Sequence, residues 1–177
     1  MNREDSLTGV YYIVLAVLSL DLFYWANHLD GVQIKFFLDF YKSAVELFFG
    51  NYHYYDESTL SYYGDGYTIG KACLGLNIII FIFTVASFVN VGKVKGYKKI
   101  LWVLCSAVMA VVIGVFSNLL RLIGSIYFTA FASFEFIHAL LGIVIYLAAI
   151  IFCYRLSKDI LKYIRREGGG GIHGQHN

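Results

Sequence analysis

Gly92-Lys93-Val94-Lys95-Gly96-Tyr97-Lys98-Lys99 carries four lysines in eight residues and separates two long apolar runs, residues 70–91 and 100–120. Each run has about the 20 residues that an α-helix needs to cross a bilayer. Working outward, residues 9–27 and 136–154 form two more runs of this kind. The chain of 177 residues is 59% hydrophobic and 18% aromatic, with a mean hydropathy of +0.65. That composition leaves too little polar surface to wrap a soluble core. It predicts a single integral membrane domain over residues 1–165: an all-α bundle of four transmembrane helices, followed by a Gly/His-rich tail over 166–177.

Charge placement predicts the orientation. The lysine connector and the cluster Arg155, Lys158, Lys162, Arg165 and Arg166 are the two dense basic segments, so both belong in the cytoplasm, with both termini. Ten of the 14 basic residues then lie inside, leaving Lys35, Lys42, Lys71 and Arg121 outside. The net charge of +2 carries little by itself. Arg3 is offset by Glu4 and Asp5, and no small-x-small site follows the first apolar run, so an uncleaved anchor is expected in place of a signal peptide.

Between the first two spans, residues 32–49 are apolar except for Lys35, Asp39, Lys42 and Glu46. Spacings of four, three and four put alternating charges on one helical face, which predicts an amphipathic helix lying along the outer interface. The loop over 50–68 holds six tyrosines (Tyr52, Tyr54, Tyr55, Tyr62, Tyr63 and Tyr67) and no Lys or Arg. An aromatic belt at headgroup level is the expected reading, ahead of a peptide-gripping lip. The run 168–171 with His173 and His176 reads as a flexible tail, where a metal site would be weak because nothing rigid holds the two imidazoles. No cofactor, metal or nucleic acid is expected.

Polar residues inside the apolar runs narrow the chemistry. At 100° per residue, Cys73, Asn77, Thr84 and Ser87 share a stripe edged by Gly70. Gly114, Ser117, Asn118 and Arg121 share another, joined by Ser125, and Glu135, His138, Gly142 and Ala149 a third. Small and polar residues belong inside a membrane bundle, so Cys73, Arg121 and His138 are expected to meet at one depth. Singly, each has a bland reading: an apolar filler, a snorkelling cation, an interfacial histidine. Together they suggest an acyl-transfer site, with Cys73 as nucleophile, His138 as acid/base and Arg121 as stabiliser of negative charge. Helix polarity agrees: Cys73 is expected in the first turn of its span, where the dipole favours thiolate, and His138 near the start of another. Arg121 is expected at the negative end of a span. Cys105 and Cys153 lie far from Cys73 in sequence, without a CxxC pair, which argues against redox chemistry. Asp21, on one face with Trp25 and His28, is expected to point toward protein in a structural role.

The segments Ala72-Cys73-Leu74-Gly75-Leu76, Asn118-Leu119-Leu120-Arg121 and His138-Ala139-Leu140-Leu141-Gly142 resemble the three signature blocks of the exosortase/archaeosortase family. These are Cys-x-Gly, Asn-x-x-Arg and His followed four residues later by Gly. The resemblance covers residues 65–155; Leu74, where a small residue is frequent, and the short chain make it a compact variant, similar to the exosortase K type. It implies Cys73 as nucleophile, His138 as acid/base and Arg121 as oxyanion or thiolate stabiliser. It also implies partners: exported proteins ending in a short motif, a membrane helix and a basic cluster. A non-enzymatic assembly or transport component, or another membrane acyltransferase, would use the same polar interior differently.

Overall fold

A computed structural model describes residues 3–50 and 53–167, with side chains over 8–50 and 53–162. The tail with His173 and His176 lies outside the described residues, as do Tyr52 and the side chains of Arg3, Glu4, Asp5, Arg165 and Arg166. The helices are α1 (Arg3–Asn27), α2 (Gly31–Phe49), α3 (Leu76–Val91), α4 (Lys98–Tyr127) and α5 (Phe134–Glu167). Among the described residues, four segments are long and apolar enough to cross a membrane: Thr8–Asn27, Lys71–Val91, Lys98–Ala130 and Phe134–Lys162. They carry large exposed side chains such as Val112 and Phe116 on α4 and Ile143 and Leu147 on α5. Lipid is the solvent that such a surface suits.

Helices α3, α4 and α5 pack mutually, and α1 leans on α3 alone among the long helices with substantial contact. Close approach at the α3–α4 crossing depends on Gly114, where a Cβ would run into Ile79. The buried face of α1 runs through Leu15 and Ala26, and the Ser19 and Thr84 hydroxyls of α1 and α3 are hydrogen-bonded at 3.0 Å. Asp21 lies about 200° around the helix from Ser19 at 100° per residue. It is therefore exposed, which corrects the expectation that it faces protein.

Helix α2 begins with a capping box, Asp30 accepting from the Gln33 amide at 2.8 Å, and ends at Gly50 with φ of 67°. Its Ile34, Leu38, Tyr41 and Val45 are buried. On the other face Lys35–Asp39 and Lys42–Glu46 pair at 4.0 and 3.2 Å, the alternating charges read from sequence. The tyrosine-rich segment is not a simple belt. It folds into an antiparallel sheet in the order β1 (Tyr54–Asp56), β2 (Ser61–Gly64), β3 (Tyr67–Ile69), an addition to the all-α expectation. Tyr62 and Tyr67 are buried, Tyr67 beside His53 and Phe134, while Tyr54 and Tyr63 stay exposed. The buried Tyr62 hydroxyl donates to Asp39, which ties the sheet to α2.

One apolar cluster joins α2 (Leu38, Tyr41), the sheet (Tyr62, Ile69), the turn Lys71–Cys73 (Cys73) and the end of α4 (Leu122). A second fills the middle of the bundle around Ile82, Phe83 and Ala110. The first cluster is the platform on which the site is built.

Candidate active site

Cys73 does not sit in the first turn of a helix. It closes a 3-10 turn, Lys71–Cys73, and α3 starts only at Leu76. Gly75 makes this break with φ of 67°, a conformation that a Cβ disfavours. It also gives Asn118 its space, since a Cβ on Gly75 would collide with the Asn118 side chain. Asn118 of α4 then donates to the Cys73 carbonyl at 2.5 Å and accepts from the Tyr146 hydroxyl at 2.8 Å. Cys-x-Gly and Asn-x-x-Arg are thus one interlocked unit. The Cys73 backbone is fixed by the neighbouring helix, and the dipole of α3 acts from beyond Gly75.

The Cys73 side chain is 4% exposed. Its sulfur lies 3.7 Å from His138 Nε2 and 3.7 Å from the Thr68 carbonyl of β3. His138 stands near the start of α5, its ring stacked on Phe134 at 5.0 Å between centroids. The other ring nitrogen, Nδ1, is 3.0 Å from Ser125 Oγ. Ser125 has one proton, and it donates that proton to the Arg121 carbonyl at 2.6 Å. Its oxygen must then accept from His138, so Nδ1 carries the hydrogen and Nε2 presents a lone pair to the cysteine.

Arg121 lies within α4, which runs on to Tyr127, so it precedes the helix end by more than a turn. The span was read as ending at 120, and the dipole argument for Arg121 weakens accordingly. The side chain is 8% exposed, donates from Nη2 to the Ala72 carbonyl at 3.0 Å, and lies over the Tyr146 ring at 4.8 Å. Gly142 explains the third block: a Cβ there would stand 3.3 Å from Arg121 Cδ. A guanidinium held by a carbonyl and a ring keeps capacity for a negative charge, and its Nε has no hydrogen-bond partner.

These groups line one cleft of about 1020 Å³, with walls that include Cys73, Arg121, Phe134, His138, Gly142 and Tyr146. Tyr67 of β3 forms part of its rim. Its hydroxyl meets His53 Nε2 at 2.6 Å, and His53 Nδ1 meets Glu46 at 3.3 Å, with the His53 side chain fully buried. Partial burial pushes the Glu46 carboxyl up, but hydrogen bonds and charge from Lys42 and His53 outweigh this and hold it below the usual range. Of the polar stripes, Gly114, Ser117, Asn118, Arg121 and Ser125 are all buried, whereas Asn77 and Glu135 are exposed. Ser125, Tyr146 and the Glu46–His53–Tyr67 chain received no role from the sequence. Ser125 appeared there as a member of the Arg121 stripe, Glu46 in the charge pattern of residues 32–49 and Tyr67 in the tyrosine-rich loop, whereas His53 and Tyr146 left no trace. Among the described residues, no cluster of His, Cys, Asp and Glu suits a metal ion. Compared with protein-family models, with curated proteins and with solved structures, the chain matches none.

Proposed function

We propose that the protein is a membrane-embedded cysteine transpeptidase or protease resembling the exosortase/archaeosortase family, acting on C-terminal sorting tails of exported proteins. One observation carries this reading: the Cys73 sulfur stands 3.7 Å from a histidine nitrogen whose tautomer is set by Ser125, beside a buried guanidinium. Nucleophile, base, orienting group and stabiliser of charge are all within one cleft.

In the proposed reaction His138 Nε2 takes the Cys73 proton as the sulfur attacks a peptide carbonyl. The tetrahedral oxyanion lies against Arg121. His138 then gives the proton to the leaving amine, the C–N bond breaks, and a thioester to Cys73 remains. An amine or water enters, loses its proton to His138 and displaces the thiol, which recovers a proton from His138. Ser125 holds Nδ1–H throughout and supports the transient imidazolium.

The topology proposed with it places both termini and the 92–99 connector in the cytoplasm of a cell-membrane protein, and the cleft with the sheet on the outer side. Helix α2 lies along that outer interface, with its charge pairs toward water. Impermeant thiol labelling of single-cysteine variants on intact cells tests this, and external labelling at position 96 would reverse it. The function is tested by co-expressing the protein with a tailed substrate and following its mobility. Wild type is expected to remove the tail and Cys73→Ala to leave it; normal processing by Cys73→Ala would end the cysteine mechanism and favour a non-enzymatic membrane component.

A further inference from the structure

Arg121 serves two concavities. Besides the Cys73–His138 cleft it lines, with Lys71, Ala72 and Tyr146, a second pocket of about 420 Å³. The floor of this pocket is the beginning of α3, through Leu76, Asn77 and Ile78. The N-cap of that 16-residue helix is Gly75, which supplies no side-chain acceptor to the first turn. The helix start therefore presents unsatisfied N–H groups and the positive end of its dipole. Lys71 lies at the edge, its Nζ donating to the Asn27 carbonyl at 2.6 Å. Arg121, 8% exposed, lines the wall and contributes the positive charge of its guanidinium, whose Nη2 donates to the Ala72 carbonyl at 3.0 Å. No Asp or Glu lines the pocket.

A helix N-terminus, a lysine and a buried arginine around one hollow, with no carboxylate to balance them, form an environment for an anion with several acceptor oxygens. The pocket has room for a tetrahedral oxyanion and the atoms attached to it. Its position adds the source. Asn27 ends one membrane-crossing segment and Lys71 begins the next, so the pocket lies where hydrocarbon gives way to headgroups. We propose that this pocket binds a phosphate-type anion, supplied by the headgroup of a membrane phospholipid or by free phosphate. Binding asks nothing of Cys73 or His138, so the site stands independently of the acyl-transfer chemistry. Because Arg121 is common to both hollows, occupancy would also fix the guanidinium that faces the cysteine.

The experiment is thermal unfolding of the full chain in neutral detergent. Inorganic phosphate is titrated against chloride at matched ionic strength, and phosphatidylglycerol against diacylglycerol, which lacks the phosphate. Phosphate or phosphatidylglycerol is expected to raise Tm where its control does not. A response to the phospholipid alone assigns the headgroup; a response to both assigns the free anion as a competent ligand. Lys71→Gln should bind roughly tenfold more weakly, as expected for loss of one charge-assisted hydrogen bond. Asn77→Asp places a carboxylate at the helix start, so it should raise Tm without ligand and abolish the response. Cys73→Ala should respond like wild type. Absence of any rise in Tm in wild type, or an undiminished response in both Lys71→Gln and Asn77→Asp, would overturn the site.

Discussion

Buried polar groups occur both around the cleft and elsewhere in the bundle of α3, α4 and α5, each region has a buried cysteine, Cys73 before α3 and Cys153 on α5, and the two regions behave differently. Away from the cleft, Ser87, Asn90, Ser106 and Ser157 are completely buried, and the Ser87 and Ser106 hydroxyls lack hydrogen-bond partners. Cys153 is packed with Ala110 and Ala149 in the apolar middle of the bundle. Around the cleft, Cys73, His138, Ser125, Arg121, Asn118 and Tyr146 are joined by successive contacts. Polar burial alone therefore does not make a reactive site. Contact with the His138 ring and a place on the wall of the cleft distinguish Cys73 from Cys153.

Exchanging the cysteines tests that contrast most severely. Cys73→Ala is expected to abolish tail removal, whereas Cys153→Ala should retain it, measured by the same mobility shift. Equal loss in both, with both variants folded, would erase the distinction. His138→Ala should follow closely, with a fall of about 10²–10⁴-fold, the usual contribution of general acid–base transfer. Arg121→Lys should lower the rate by roughly 10²-fold despite keeping the charge, since an ammonium lacks the planar donor fork and oxyanion donors contribute about that much. A rate within twofold of wild type would mean that Arg121 acts as packing, as the serines away from the cleft do.

Ser125 sharpens the comparison because it is a helix serine with a connection that Ser87 and Ser106 lack. Ser125→Ala should slow the reaction by about tenfold, in line with the loss of one hydrogen bond to a charged intermediate. The ¹⁵N shifts of His138 should show mixed tautomers in that variant and the Nδ1–H form in Ser125→Thr. An unchanged tautomer in Ser125→Ala would remove its positioning role. The smallest effect belongs to the rim. The Glu46 carboxyl is held below its ordinary value of 4.5, so its bonds to Lys42 and His53 stabilise the fold above that pH and are lost as pH falls through the lowered value. The Tm gap between wild type and Glu46→Gln should accordingly be present at pH 7 and close on acidification below 4.5.

Cys73, Arg121 and His138 were legible in the sequence because each interrupts an apolar run, and three interruptions near helix ends constrain one another. The helices were legible for the same reason, although α4 and α5 extend beyond the apolar segments that announced them. The sheet was not, since strands of three or four residues are too short for a period to emerge. Asp21 misled because the stripe rule assumes neighbours on several sides, and α1 has one main neighbour, α3. Ser125 was visible on its stripe, but its task depends on spending its only proton on the carbonyl four residues earlier, and no sequence pattern records where a hydroxyl proton goes.

The turn at Gly75 has a consequence for how the cysteine moves. With its carbonyl held by Asn118 and its amide by the Gly70 carbonyl at 2.8 Å, Cys73 has a fixed backbone, and its thiol hydrogen is free to turn about the Cβ–S bond. That rotation swings the thiol hydrogen between two acceptors that both lie 3.7 Å from the sulfur, the Thr68 carbonyl and His138 Nε2. A single S–H proton serves one of them at a time. In the proposed reaction only the thiol directed at His138 can pass its proton to the base, so strand β3 would compete with the base, and a peptide that pairs with the Thr68 carbonyl on entering the cleft would remove that competition.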